Sequence, residues 1–548
     1  MITLLDGFVD EPSCLGVPPY ISPYVRYIAG AIIDAGEKYE YITIEEWRRG
    51  RRIKGDVLLI SAGAIVPGRY LRGMPISFKE FIEICKGFRG IKILTGSAAR
   101  YGFGRGGGNE PVDESKYVDY APKKDGDAFI YDFLHGEIND RRRNMEEWRR
   151  WSIYGAEVVK RHPDFPQPLI AEIETYRGCI RWFIGGCPFC MEPAFGKPVF
   201  RDEKDIVAEV RELMRYGVTN FRLGGQSCFF SYKASGIGKK ERPRPNENAI
   251  YRILKGIHDL KPAVFHIDNA NPAVIAEWPD ISRRIAERIA EYCTPGNIAA
   301  FGMESADEKV IERNNLNTSP EEVMEAIKII NEVGRERGEN GMPKFLPGLN
   351  ILYGLAGESK ETYSKNYRFL KKIVEQEYLL RRINVRQVVS IKGGKTKILR
   401  HLFIKFKRTI NEEINLPLLK KMLPYGTVLK NVYMEIHKGN QTFGRQIGTY
   451  PILVGIPYKT EINRFVDVKI FSHSYKSVTG LECPLNLNRA SMKALQSIPG
   501  IGEKRAVSII RGRPYNTFEE IKADIGDENV IKELKNWVTL SDGVESES

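Results

Sequence analysis

From Pro168 to about Val388, short apolar runs alternate with longer stretches whose apolar positions recur every three or four residues. The short runs, Leu169–Glu174, Asn220–Leu223, Val264–Asp268, Ile298–Met303, Leu349–Tyr353 and Ile383–Val388, read as strands. The longer ones, Lys204–Tyr216, Glu247–Leu260, Ile281–Tyr292, Pro320–Val333 and Lys360–Gln376, read as helices. Such alternation builds parallel β/α units, and six of them make a partial (β/α)6 barrel with its chemistry at the C-terminal strand ends.

The flanks have other textures. Residues 1–165 carry apolar runs such as Asp56-Val-Leu-Leu-Ile-Ser and Ile91-Lys-Ile-Leu-Thr between helical patterns, which predicts an N-terminal α/β domain with a doubly wound layer. After the barrel, 166–390, the stretches Gly426-Thr-Val-Leu, Tyr450-Pro-Ile-Leu-Val-Gly and Val466-Asp-Val-Lys-Ile-Phe predict a small β barrel or sandwich over 391–482. Residues 483–548 turn helical, with Asn488-Arg-Ala-Ser and Thr517-Phe-Glu-Glu as capping signals, and the tail after Asp542 looks loose. Four domains suit a chain of 548 residues, too long for one core.

Charge adds a hint about partners. Lys and Arg number 83 against 70 Asp and Glu, a formal +13, which favours polyanions but leaves RNA, DNA or neither open. Two basic clusters, Arg48 to Arg52 and Arg141 to Arg150, read first as solvated helix ends. The start lacks a basic n-region, and no apolar stretch reaches the roughly 18 residues of a membrane span, so neither a signal peptide nor a membrane partner is expected. Eight cysteines in so long a chain are no disulfide framework, and a reducing cytoplasmic setting is expected.

Three of those cysteines, Cys179, Cys187 and Cys190, share one loop directly after the first barrel strand. Iron–sulfur clusters normally take a thiolate at every iron. Three donors leave one iron of a four-iron cluster open to a substrate or cofactor. The alternative is a structural zinc on Cys187-x-x-Cys190 with Cys179 and a further ligand such as Cys228 or His266. Cys228 itself reads as a buried small hydrophobe.

The closing half of this loop, Cys187-Pro-Phe189-Cys190, resembles the cluster loop of the radical S-adenosylmethionine superfamily. The usual spacing there is Cys-x-x-x-Cys-x-aromatic-Cys, and this chain inserts four residues between its first two cysteines, which costs little closure entropy. Stations at later strand ends agree in order: Leu223-Gly224-Gly225-Gln226, Asp268-Asn269-Ala270-Asn271, Gly302-Met303-Glu304-Ser305, and Tyr353-Gly354-Leu-Ala-Gly357-Glu358. The resemblance implies a 4Fe-4S cluster on Cys179, Cys187 and Cys190, whose open iron binds S-adenosylmethionine. A one-electron donor protein is implied too, as is a 5′-deoxyadenosyl radical aimed at one C–H bond. Gly224, Gly225 and Gln226 would hold the methionine end, with glutamine where the family often has an acid. Phe189 would pack by the adenine, and Glu304 or Asn271 would hydrogen-bond the ribose or methionine end.

The domain order resembles that of methylthiotransferases, but only Cys14 and Cys85 precede residue 179, too few for their second cluster. Cobalamin-dependent radical enzymes also place an α/β domain first; the Asp-x-His-x-x-Gly motif that supplies a lower ligand is absent, and cobalamin stays possible but unsupported. Gly102-Phe-Gly104-Arg-Gly-Gly107 has the look of a dinucleotide fingerprint and reads better as a glycine loop. Residues 440–480 loosely resemble a TRAM-type barrel. The segment Lys392 to Arg408, with Lys395, Lys397, Arg400, Lys405, Lys407 and Arg408, reads as a phosphate contact or as a solvated helix face. The run Leu485 to Ala506 resembles a helix-hairpin-helix: Pro499-Gly500-Ile501-Gly502 would bring backbone N–H groups to a phosphate, with Lys504, Arg505 and Arg511 adding charge. The whole set resembles an archaeal-type family of radical enzymes ending in a helix-hairpin-helix. The implied activity is radical modification of a nucleic acid, RNA foremost, with methyl or methylthio transfer as the chemistry. A radical enzyme acting on a protein or metabolite, and a non-catalytic nucleic-acid scaffold, are the alternatives.

Overall fold

The computed structural model describes the chain except residues 12, 65–69, 105–111, 113–114, 390, 392–396 and 542–548. Part of the glycine loop ending at Gly107, Lys395 and the tail after Asp542 lie outside the described residues. The chain forms two compact units, Met1–Arg335 with Lys344–Arg408, and Glu336–Pro343 with Thr409–Ser548.

The first unit opens with a parallel sheet in which Ile2–Asp10 lies between Tyr39–Thr43 and Val57–Ala64, with Ile91–Thr95 outside the latter. Every residue of Ile2–Asp10 is buried, as expected of a central strand with both faces covered. The strand order reverses beside it, giving the doubly wound layer that the alternating texture predicts. One covering helix, Pro23–Asp34, meets the helix Met145–Tyr154 and the turn after it at backbone distance. A Cβ on Gly30 would collide with the Trp151 carbonyl, and one on Gly155 with the Arg26 carbonyl. Gly30→Ala is therefore expected to lower stability by about 1–3 kcal/mol, because two backbones must separate; urea denaturation at unchanged m value measures this.

The barrel strands Ile170–Glu174, Asn220–Gly225, Val264–Ile267, Asn297–Glu304, Phe345–Tyr353 and Arg382–Gln387 fall where the sequence places them. Helices Glu203–Arg215, Glu247–His258, Pro279–Tyr292, Pro320–Gly334 and Lys360–Glu375 lie between them. The third strand breaks at Asp268: its first half pairs with Asn220–Gly225 and its second half, Asn269–Ala270, with Asn297–Glu304. An extra edge comes from Tyr20–Ile21, which pairs with Ile170–Ala171. A two-residue strand in a proline-rich run has no periodicity to betray it.

The α/β layer and the barrel share buried ionic links. Arg26 and Arg201 both pair with Glu209, and all three side chains are almost wholly excluded from solvent. Arg143 pairs with Asp127 and reaches Glu174. Members of the basic clusters pair at or near the surface, Arg48 with Glu45 and Glu80, Arg51 with Glu40 and Glu46, Arg141 with Asp132 and Glu147, and Arg150 with Asp34, while Arg49, Arg52 and Arg149 stay exposed. The helix Arg400–Ile410 sets Phe403 and Phe406 against Tyr353 and leaves Arg400, Lys405 and Arg408 exposed.

In the second unit Val428–Lys438, Gln441–Gln446, Leu453–Ile456, Ser477–Glu482 and Phe465–His473 close a five-stranded barrel in that spatial order, with one parallel pair. Residues 400–422 are helical, and the strands start only at Val428. Helices Met492–Gln496, Glu503–Gly512, Phe518–Ile525 and Glu528–Leu534 follow, bracketed by the paired strands Leu485–Asn486 and Val538–Thr539. Among the described residues no helix is long and apolar enough to cross a membrane.

Candidate functional site at the barrel mouth

The three cysteines lie on a loop closed by a clasp. Tyr176–Arg177 pairs antiparallel with Val199–Phe200, and the Tyr176 and Phe200 rings sit 4.7 Å apart. The residues inserted between Cys179 and Cys187 form a single tight turn, Trp182–Ile184, ended by Gly185 and Gly186 at φ of +83° and +58°. The extra length bulges outward, leaving Phe183 and Ile184 exposed. Asn315 Nδ2 holds it from outside, donating to the carbonyls of Ile184 and Gly186 at 3.2 and 3.0 Å.

All three sulfurs are half-buried and electrostatically coupled. Burial pushes the Cys179 thiol up to about 12 and the Cys187 thiol up to about 11, and Cys190 rises well above its ordinary value, with the neighbouring cysteines adding to the rise. Thiolates form here only beside compensating positive charge, which a bound metal centre provides. Arg181 supplies part of it. Its backbone N–H donates to Cys179 Sγ and its Nη1 to Cys187 Sγ, both at 3.4 Å, while Glu241 at 2.7 Å and Asn315 at 3.2 Å orient the guanidinium. Among the described residues no three His, Cys, Asp or Glu side chains are grouped to hold a single metal ion. An iron–sulfur cluster takes each thiolate on a different iron, and three cysteines on one loop are donors of that kind.

The other expected positions gather around the strand ends with unequal freedom. Phe189 packs against Val310, Leu355 and Val388, which follow later strands, and so carries the loop across the barrel mouth. Gly225 lies against the Glu174 backbone, whose Cα would be 2.7 Å from an added Cβ. Gln226 is fully buried. Its Oε1 accepts from Thr175 at 3.0 Å and its Nε2 donates to the Leu223 carbonyl at 2.6 Å, so the amide shapes the strand end and keeps one acceptor lone pair. Asn271 Oδ1 caps the helix Pro272–Glu277, accepting from Ala273 at 3.0 Å.

Glu304 is the least satisfied. It sits at φ +64°, its Oε2 is buried without a hydrogen-bond partner, and burial, opposed by Arg386, pushes its carboxyl up to about 8. A buried acceptor without a donor is costly, so this oxygen is open to a hydroxyl or ammonium placed beside it. Glu358 instead works inward, accepting from Gly354 N–H at 2.5 Å and Tyr363 Oη at 2.8 Å.

The barrel floor is charged but balanced. Arg222 lies between Glu172 and Asp268, all three buried. Cys228 is buried, and its Sγ accepts from Asn271 N–H at 3.2 Å; burial also holds His266 down at about 4. Both Cys228 and His266 therefore sit in the packed interior. Arg181 escaped the sequence reading, although a lone arginine inside the otherwise apolar Ile180-Arg181-Trp182-Phe183-Ile184 was its visible signal. Glu192 escaped too: it accepts from Ser13 and from the Gly178 N–H, tying the loop to the first sheet.

In the second unit Gly500 takes φ +83°, and Gly502 opens the helix Glu503–Gly512 with no side-chain cap and nothing near its missing Cβ. Lys504 is exposed beside it. Arg505 is braced, donating to the Gly500 carbonyl at 2.8 Å and to Asp527 at 2.7 Å, so it stiffens the hairpin.

Comparison with known proteins follows this geometry. The profile of the Radical SAM superfamily matches residues 173–370, and that of the SAM-like helix-hairpin-helix tandem matches residues 492–536. An uncharacterized protein of Methanocaldococcus jannaschii is 47% identical over 505 residues, 87% of this chain and 92% of its own. Another protein of that archaeon, provisionally named as a methylthiotransferase, is 29% identical over 203 residues, 33% of this chain and 40% of its own. The tRNA-2-methylthio-N(6)-dimethylallyladenosine synthase of Buchnera aphidicola is 23% identical over 238 residues, 43% of this chain and 48% of its own.

Proposed function

This chain belongs to the Radical SAM superfamily, and from that premise we propose that it modifies RNA at an unactivated carbon, with a 4Fe-4S cluster on Cys179, Cys187 and Cys190. When bound, the cluster and S-adenosylmethionine supply the means of removing hydrogen from an unreactive C–H bond, with electrons from a donor protein. The chain's own residues position and shield. Arg181 offsets charge on two thiolates. Glu304 offers its free oxygen to a cofactor hydroxyl or ammonium, Gly224 and Gly225 let the strand end pack closely on the Arg222–Glu172 pair and the Glu174 backbone, and Phe189 with Leu355 and Val388 makes an apolar wall that excludes water. Gln226 and Asn271 act through the backbone they fix. The reading does not require cobalamin. Eight cysteines without a disulfide support a cytoplasmic setting.

The observation that carries the RNA substrate is the open N-terminus at Gly502. Unbonded N–H groups and the positive helix end face solvent there beside Lys504, a ready phosphate contact. The Buchnera relative is named for a tRNA product, which supports RNA over DNA. Lys504→Ala is expected to weaken RNA binding at all sequences and to reduce the slope of log affinity against log salt by about 0.7; filter binding between low and moderate salt measures this. The function is tested by comparing digested RNA nucleosides, by mass spectrometry, from cells with and without the gene. Loss of one modified nucleoside is the expected result, and an unchanged profile would overturn the RNA reading.

A further inference from the structure

Between the last strand of the first sheet and the cysteine loop lies a cavity of about 40 Å³ that the proposed reaction does not use. One water takes roughly 10–15 Å³ of such space, so the cavity admits a group the size of a phosphoryl or carboxylate. The turn Thr95-Gly96-Ser97 and the start of the helix Gly126–Leu134 line it, and Arg100, Lys123, Lys124, Arg143 and Arg177 bring cations to it. That helix begins without a side-chain cap from Asp125, so its positive end adds to the field.

The acids present are already engaged. Asp127 and Glu174 pair with Arg143, Asp125 lies 3.8 Å from it, and Glu174 also pairs with Arg177, which lies in the field of Glu192 as well. Arg100 and Arg142 are different. Three guanidiniums face the single ring of Phe195, Arg177 at 4.6 Å, Arg100 at 4.7 Å and Arg142 at 5.0 Å. Arg100 spends Nη2 on the Ala194 carbonyl at 2.7 Å and has a buried Nη1 with no partner. Among the described residues neither Arg100 nor Arg142 has a carboxylate within ion-pairing distance. Burial holds Arg142 below the ordinary guanidinium range, and Arg100, Arg177 and Arg143 add to this against Asp125. Like charges gathered round one ring with a phosphate-sized gap beside them are a site awaiting an anion.

We propose that this cavity binds a phosphate-sized oxyanion, held by Arg100 and the start of the helix Gly126–Leu134, with Arg142, which reaches the Phe195 ring but does not line the cavity, adding positive charge nearby. Bound there, the anion pins the turn carrying Phe195, five residues after Cys190, to the first sheet. Free phosphate and the phosphoryl end of a nucleotide share this chemistry.

The test is the melting temperature of the full-length protein in phosphate and in chloride at equal pH and ionic strength. Phosphate is expected to raise the wild-type Tm by at least about 2 °C, and the Arg100→Gln, Arg142→Gln double variant to lose that rise. In chloride alone the double variant is expected to melt at or above the wild type, because the repulsion is gone, which also shows that it folds. Adenosine 5′-monophosphate separates the sources: a larger rise than with phosphate assigns the site to a nucleotide, an equal rise to the free ion. An equal phosphate response in the double variant, or none in the wild type, overturns the proposal.

Discussion

Replacing Cys179, Cys187 and Cys190 together by alanine is expected to abolish the iron–sulfur absorption of anaerobically reconstituted protein. Formation of 5′-deoxyadenosine from S-adenosylmethionine should fall at least about 10³-fold, equivalent to about 4 kcal/mol of barrier. The fold should survive, because the three side chains are only half-buried and sit on a loop that its own clasp closes. Cys228→Ala is the control. Its sulfur is packed in the interior and accepts from Asn271, so the variant should keep its cluster with a loss of stability below about 1.5 kcal/mol. Loss of metal from Cys228→Ala would instead favour the zinc alternative with Cys228 as fourth ligand.

The second large effect concerns Glu209. Burial opposes its ionisation, and Arg201 and Arg26 overcome that, holding the carboxyl below the usual carboxylate range. Glu209→Ala leaves two guanidiniums buried without their common partner, and the expected loss is about 3–5 kcal/mol. Replacing Arg26, Arg201 and Glu209 together by apolar residues of similar volume should cost far less, since desolvation of the triad is then avoided. A folded pKa below the unfolded value near 4.3 means the contribution is complete above that pH and fades as pH falls through the folded pKa. Denaturant titration of single and triple variants at pH 7 and in acid checks both statements. A loss under 1 kcal/mol for Glu209→Ala would show that the triad does not hold the α/β layer to the barrel.

How much of this was legible in the sequence depends on how local the physics is. The six barrel strands were readable because strands covered by helices are continuous apolar runs, and the helices between them show their period plainly. The small barrel was readable in part: Tyr450-Pro-Ile-Leu-Val-Gly and Val466-Asp-Val-Lys-Ile-Phe announce strands, but nothing local announces the parallel pairing of Leu453–Ile456 with Ser477–Glu482. Tyr20–Ile21 was hidden because its pairing with Ile170–Ala171 spans about 150 residues.

The site divides the same way. Cysteine spacing is a one-dimensional signal, so Cys179, Cys187 and Cys190 stood out. The roles of Arg181 and Glu192 depend on where their side chains turn, as does the capture of Gln226 by Thr175 and Leu223. Charge was the most misleading cue. Arg48, Arg51, Arg141 and Arg150 read in sequence as solvated helix ends and are paired with carboxylates in the fold, whereas among the described residues Arg100, which no run singles out, and Arg142, inside the second cluster, have no carboxylate within ion-pairing distance. Net charge reports partners only after internal pairs have been subtracted.

The central claim is that three thiolates leave one iron open for S-adenosylmethionine. Electron paramagnetic resonance of the reduced, reconstituted protein, recorded with and without S-adenosylmethionine, tests it most directly. A 4Fe-4S signal whose g values shift when S-adenosylmethionine is added is the predicted result; a signal indifferent to it, or no cluster signal at all, would contradict the account.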